Sequence, residues 1–562
     1  MLIKFFKIFF FTLLLIHQSS LYSKNTENSE FKSENLSNYF SALVSFSNQK
    51  NDDALKFFRD SKSLIERHDP YLKHYVNSLI IEGKVDRAIK EIKHNLGEKN
   101  SDFFEAYFLL ILDSIKKKDF KKSQKYLVEL SRFKENSVYE LAIYESLKSY
   151  IYLFKNNKIL LSNKSLGNIS FINEAFQNCY LDKNETETYF VNLINNNEID
   201  YSRYIFFYIN YLIEHNRYNE AKEITDKIDT LNSNLLILQA KSWIDKKYLV
   251  KFNKIFLCKN ETDILSEFIF LIANLYSSQN YFEKSNFYLQ ISNFLNPKFN
   301  FNLSLLAENY FVNANYKKSE KVLNNFNKKD DIYYWYKIKK KTHIISKEEG
   351  EKQSFNFINS KFKQIEKPSV KILFDMANIA KGFKKYNLAI DYYSEVLSRI
   401  DENSITYSNI LYRRGGSYER LGQFLKSDED LLKSLEINPD DSYVLNYLAY
   451  SWLERDYKIY VAIEMLEKAY KKKKDDPFII DSIGWAYYLV GDLVKAEQFL
   501  KKAVQLMPDD PIINDHYGDI LWKLDRKMQA KYYWQSVLSL KDTEEISKDE
   551  IHIKILKGPG KI

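Results

Sequence analysis

The segment "DDPIINDHYGDILW", residues 509–522, gathers Asp509, Asp510, Asp515 and Asp519 with Asn514 and His516. Carboxylates beside an imidazole can hold a divalent metal or move protons in general acid–base catalysis. Both chemistries need the groups to converge. On a helix, Asp515 and Asp519 share a face because they are four residues apart, whereas His516 is turned about 100° from Asp515. No "HExxH", paired "CxxC" or complementary His cluster supplies further ligands. His516 is therefore expected to be an ordinary, partly exposed side chain. The strings "GxGxxG", "GxxxxGKS/T" and "GxSxG" do not occur either, so the sequence indicates no phosphate-cradling loop and no nucleophile elbow. We expect a chain without metal, cofactor or catalytic residues.

The elements that must carry these side chains recur. Sliding "PFIIDSIGWAYYLVGDLVKAEQFLKKAVQLMPDD" by 34 residues sets Pro477 on Pro511, Gly484 on Gly518 and Ala496 on Ala530, with Tyr487 on Leu521 and Leu500 on Trp534. Ile483, Tyr487, Leu500 and Ala503 follow the three-and-four spacing of a buried helical stripe. Gly491 suits a left-handed helix end, and Pro508 falls where a second helix must stop. Upstream, Ala462, Ser427 and Ala389 continue the series of small residues, with Gly415 and Ala449 at the matching first-helix positions. Ala54, Ala88, Ser123, Ala221, Ser285, Ser319 and Ser354 extend it at looser spacing, and Ala273 and Ala307 answer Ser285 and Ser319.

This pattern resembles the tetratricopeptide repeat, a 34-residue helix–turn–helix. The resemblance implies an all-α fold, a right-handed α-solenoid of about 12 units in which each pair of helices buries its apolar side against the next. It also implies that each first-helix glycine lies against the small residue of the second helix. The expected organisation is a signal peptide over residues 1–23, a degenerate array over 24–369, a well-marked array over 370–540, and a charged cap and tail over 541–562. The polar stretch "SKEEGEKQSF" reads as a turn and a second helix. Residues 130–205 are either a loop insertion or eroded repeat.

In the same family the second, fifth, ninth, twelfth and thirteenth positions line the concave groove. The resemblance thereby assigns a peptide-binding groove to Tyr443, Asn446, Tyr450, Phe478, Asp481, Trp485, Tyr488, Asp515, Asp519 and Trp522. Short polar acceptors beside aromatic platforms suit an extended peptide. The competing reading is that these acceptors bond neighbouring helices and the rings are partly core.

Composition agrees with a folded helical chain. Only 13 Gly and 8 Pro serve 562 residues, while 45% of residues are hydrophobic. A net charge of +8 is spread over 83 basic and 75 acidic residues, without the concentrated stripe that nucleic acid demands. Lys471 to Lys474 are read as decoration of a helix C-terminus. Cys179 and Cys258 are read as two buried thiols, with one bridge as the alternative. The N-terminus places Lys4 and Lys7 before an apolar run from Ile8 to Ile16, which suits an export signal. If uncleaved, it would be an inner-membrane anchor; once cut, no spanning segment is expected. The function expected is a non-catalytic, periplasmic scaffold that binds a protein or peptide, like exported repeat proteins of Gram-negative bacteria. The alternative is an envelope enzyme or its subunit, with its chemistry in residues 130–205 or in a partner.

Overall fold

A computed structural model describes residues 33–160, 166–195, 202–540 and 546–560. Helix follows helix throughout, and among the described residues the only β feature is an isolated bridge between Leu96 and Glu98. The expected signal segment lies outside the described residues. No described helix is long and apolar enough to cross a membrane. The described residues form two compact units, one within residues 1–226 and 240–327 and the other within residues 227–239 and 328–562. The change in repeat quality near residue 370 thus falls inside the second unit.

The small-residue series is the seam of the fold. All twelve positions from Ala54 to Ala530 are fully buried, at 0% exposure. Where the series carries serine, the hydroxyl can bond the facing first helix: Ser319 Oγ donates to the carbonyl of Ala307 and Ser354 Oγ to that of Thr342, both at 2.8 Å. A larger residue would force the paired helices apart.

The glycines differ from expectation in their partner. A Cβ on Gly484 would come within 2.7 Å of Leu500 Cγ, and one on Gly518 within 2.4 Å of Trp534 Nε1. One on Gly415 would meet Leu431 Cγ at 3.0 Å. The nearest neighbour is therefore the large side chain one helical turn beyond the small residue, because the glycine leaves a slot that this side chain fills. Gly491 takes φ +81°, and Asp492 N–H donates to Tyr487 O at 3.0 Å, closing the helix Pro477–Leu489 as its sequence requires.

Several local expectations are met. "SKEEGEKQSF" forms the end of the helix Asp331–Glu348, a turn at Gly350 and the start of the helix Glu351–Phe362. The described parts of 130–205 carry the helices Val138–Asn156, Asn168–Tyr180 and Thr186–Ile194. Lys471 and Lys472 occupy the last turn of the helix Ile459–Lys472. The cap becomes the helix Lys548–Lys557, whose N-cap Ser547 accepts from Glu550 N–H.

Two expectations are corrected. Cys179 and Cys258 are joined in a disulfide, because the end of the helix Asn168–Tyr180 packs beside the turn that precedes Glu261–Ser278. The first unit is also more than a row of neighbours. Its helix Pro70–Ile81 packs on Phe282–Leu295, more than 200 residues later. There Gln290 Nε2 donates to Ile81 O, and Lys318 Nζ donates to Glu82 Oε1 at 2.7 Å. A cleft of about 430 Å³, lined by Gln49, Asn280, Tyr281, Asn313 and Lys318 among others, lies at this return.

Candidate functional site

The groove residues sit on three successive first helices of the second unit, Ser442–Leu453, Pro477–Leu489 and Pro511–Lys523. Each helix starts in the same way. Asp441, Asp476 and Asp510 accept hydrogen bonds from the N–H groups two and three residues on. These carboxylates satisfy free donors and face the positive end of the helix dipole. Asp510 in the opening segment is thus a cap. The caps, with the glycine slots of the second and third helices and Ala449 of the first, fix the rotation of each helix, and that rotation decides which side chains reach the concave side.

The ten candidates separate into three groups. Tyr443 and Phe478 occupy the same position in successive repeats and are half exposed, at 51% and 50%. Asn446, Tyr450 and Trp485 are half-buried beside them, and Asn446 Oδ1 is buried without a hydrogen-bond partner.

The second group is a stacked core. His516 is buried, only 6% exposed, which corrects the expectation of a partly exposed side chain. Its Nδ1 lies 2.9 Å from Asp481 Oδ2, and its ring stacks on Trp485 at 4.1 Å with a 10° tilt. Trp485 in turn stacks on Tyr488 at 4.9 Å. Helical rotation turns His516 away from Asp515, but toward the preceding repeat, where Asp481 receives it. Burial works against the charged imidazole; the charge and hydrogen bond of Asp481, helped by Asp515 and Asp519, outweigh it and hold His516 above its ordinary value. Asp481 Oδ1 and the Tyr488 hydroxyl are buried without partners.

The third group is Asp515, Asp519 and Trp522, and the cap helix covers it. Lys554 Nζ donates to both carboxylate oxygens of Asp515 at 2.8 Å and to Asp519 Oδ2 at 2.9 Å. Trp534 Nε1 donates to Asp519 Oδ1 at 3.2 Å. Burial first, then the neighbouring Asp515, push the Asp519 carboxyl up to about 6 despite the ammonium. Gly558 lies so close over Trp522 that a Cβ there would come within 2.3 Å of the indole. Ile551 and Ile555 of the cap join the apolar core built by residues 431–537.

Asp515 and Asp519 do share a face, as their spacing requires, but an ammonium sits between them where a metal reading would put a cation. Among the described residues no group of three or more His, Cys, Asp or Glu side chains could hold a metal ion. Sequence reasoning missed Lys554 and Gly558. Lys554 is 39 residues from Asp515 and belongs to no repeat, so no periodicity could pair them. In "RRGGSYERLG", Gly415 is a slot and Gly422 a helix end at φ +69°, while a Cβ on Gly416 would stand 3.3 Å from Lys381 Nζ and Tyr447 Oη.

Residues 408–441 match the family model of the tetratricopeptide repeat. These residues begin in the helix Ile405–Glu419, pass through Phe424–Ile437 and end at the cap Asp441. Over these residues the chain is a tetratricopeptide repeat. A TPR repeat-containing protein of Pseudomonas aeruginosa is 35% identical over 91 residues, which cover 16% of this chain and 15% of that protein. Among solved structures, MamA of Desulfovibrio magneticus RS-1 aligns at 20% identity and a TM-score of 0.27, over 31% of this chain and 97% of its own. A thermophilic TPR protein of Thermus thermophilus aligns at 17% identity and a TM-score of 0.29, over 34% and 98%. Tandem repeats of this kind expose a continuous inner face to other polypeptides.

Proposed function

We propose that this chain is a non-catalytic scaffold of the cell envelope that holds a polypeptide partner on the concave face of its second unit. The observation that carries the reading is the half-exposed pair Tyr443 and Phe478, in register on successive repeats beside the unused acceptor of Asn446. Aromatic rings in open register offer rigid apolar area at low entropic cost, and a buried acceptor without a partner favours an incoming N–H donor. Asp481, Tyr488 and His516 support the floor of this face, and the half-buried Tyr450 and Trp485 form its walls.

Envelope export is supported by two separate features. Lys4 and Lys7 precede a short apolar run, the layout of a secretory signal. The Cys179–Cys258 bridge suits an oxidising compartment such as the periplasm.

The test compares proteins crosslinked to the wild-type chain and to a Tyr443→Ser, Phe478→Ser variant in an envelope fraction. The variant is expected to lose a discrete partner while keeping its melting temperature. Undiminished capture would remove the concave aromatic pair from the binding surface. Recovery of the intact N-terminus in a cytosolic fraction would overturn export.

A further inference from the structure

Resting on the groove reading above and deepening it, we infer that the end of the concave face is a receptor for a lysine-bearing helix, now filled by this chain's own helix Lys548–Lys557, which a partner of the same chemistry displaces.

The site has the features of a recognition pocket for an ammonium group. Three carboxylate oxygens from adjacent turns of one helix converge on Lys554 Nζ at 2.8 to 2.9 Å. Asp519 is itself oriented by the Trp534 indole, so the acceptors are held in place before the ammonium arrives. The Tyr488 hydroxyl, buried and without a hydrogen-bond partner, feels both Asp515 and Asp519. Asp481 Oδ1 one repeat earlier is also buried and unpartnered. The Tyr488 hydroxyl is thus hydrogen-bonding capacity beside the two aspartates that Lys554 does not use.

The occupant is held by few determinants. Lys554 supplies the charge, Ile551 and Ile555 supply apolar contact, and Gly558 allows the backbone to lie on Trp522. The outer face, with Ile553 and Leu556 at 55% and 75% exposure, adds nothing to the grip. A ten-residue helix is marginal by itself in water, so its hold on the groove depends on docking and is open to exchange. A partner needs a lysine, an isoleucine-sized residue on each side of the same face, and a glycine four residues after the lysine. Acidic or purely apolar helices lack the ammonium that the two aspartates require.

The probe is a fluorescein-labelled peptide of residues 546–562, added to the full-length protein and followed by anisotropy. Wild type should bind it weakly, because the groove is occupied. Lys554→Ala in the protein, which frees the groove without touching its acceptors, should tighten binding at least about tenfold by removing the competing state. Gly558→Leu, which drives the tail off Trp522, should do the same and serves as the second variant should the first fold poorly. Adding Asp515→Asn and Asp519→Asn, or replacing the peptide's own Lys554 by Ala, should abolish the gain. Equal binding to wild type and to both folded variants, or equal binding of the lysine and alanine peptides, would overturn the inference. If the peptide behaves as stated while envelope capture ignores Tyr443 and Phe478, the groove reading fails by itself. If capture depends on the aromatic pair and no variant takes the peptide, only the lysine receptor is lost.

Discussion

The two units of this chain solve the same packing problem with different means. In the second unit the repeat markers are intact from Ala389 to Ala530: every pair of helices there is sealed by a small residue, with glycine slots at Gly415, Gly484 and Gly518 and side-chain caps from Ser369, Ser404, Asp441, Asp476 and Asp510. Every one of these devices acts between neighbours. Among the described residues of the first unit the slots are absent and the caps irregular, and the ties are buried, specific and distant in sequence. Arg203 makes a two-point bond to Glu267, 2% exposed, at 2.7 and 2.8 Å, and lies 3.9 Å from the Phe270 ring. Cys179 is bonded to Cys258, 79 residues on. Glu82, Gln290 and Lys318 join the return of Phe282–Leu295 onto Pro70–Ile81. A stack whose seams are regular needs only nearest-neighbour terms. Where the seams are eroded, long-range ties take over, and the unit becomes more cooperative.

That difference can be broken at its strongest point. Glu267→Ala leaves the Arg203 guanidinium without its carboxylate partner, and such a loss costs about 3–5 kcal/mol. Because the first unit closes on itself, amide exchange should quicken together in Pro70–Ile81 and Phe282–Leu295, both remote in sequence from the mutation. Exchange that quickens only within Glu261–Ser278 would mean the first unit is as modular as the second. Replacing Cys179 and Cys258 by serine comes next, with an expected loss of about 2–4 kcal/mol. It should again be felt across the first unit and leave protection in Pro477–Leu489 unchanged.

Gly484→Leu tests the other side of the comparison. With a bare Cβ already 2.7 Å from Leu500 Cγ and 3.1 Å from Leu500 N, overpacking should cost up to about 3 kcal/mol. The damage should stay within Pro477–Leu489, Leu493–Leu506 and the adjoining pairs. Early cleavage by a protease in this stretch, with the first unit intact, is the expected result; global unfolding would contradict a nearest-neighbour stack.

The same contrast explains what could be read from the sequence. The helix pairs, the twelve seam positions and the Asp510 cap are local, and periodicity carries them. The serine hydroxyls at Ser319 and Ser354 even show how an eroded marker still fits its seam. Of the candidate groove, the register of Tyr443 with Phe478 was legible for the same reason. The covering of Asp515, Asp519 and Trp522 was not, because Lys554 and Gly558 lie outside any repeat and meet them only through the turn that aims the cap helix. His516 was misread because its partner Asp481 sits on the preceding repeat, 35 residues away, and a single-helix projection compares it only with Asp515 and Asp519. The Cys179–Cys258 bridge escaped for a related reason: two thiols carry no periodic signal that would bring their helices together.

The smallest expected effect is also the one in which the two units should move in opposite directions. In the first unit His74 is held below its ordinary value of 6.5, chiefly by burial and then by Lys73 and His68, so folding favours the neutral ring. Its contribution is present above about pH 6.5 and is lost as the pH falls through the lowered folded value. In the second unit His516 is held above 6.5, burial notwithstanding, by Asp481, Asp515 and Asp519, so folding favours the charged ring. That contribution is complete below about pH 6.5 and is lost as the pH rises through the raised folded value. Subtracting the pH profile of His74→Gln from wild type should therefore leave a difference that shrinks toward acid, read by amide exchange in Pro70–Ile81. The same subtraction for His516→Gln should leave one that shrinks toward alkali, read in Pro511–Lys523. Asp519, raised to about 6, also favours the protonated form, but its change falls between about pH 3.8 and 6, below the range above pH 6.5 in which the His516 difference is read. Differences of the same sign in both units would show that Asp481 does not hold the His516 charge, and that the stacked core under the groove is neutral.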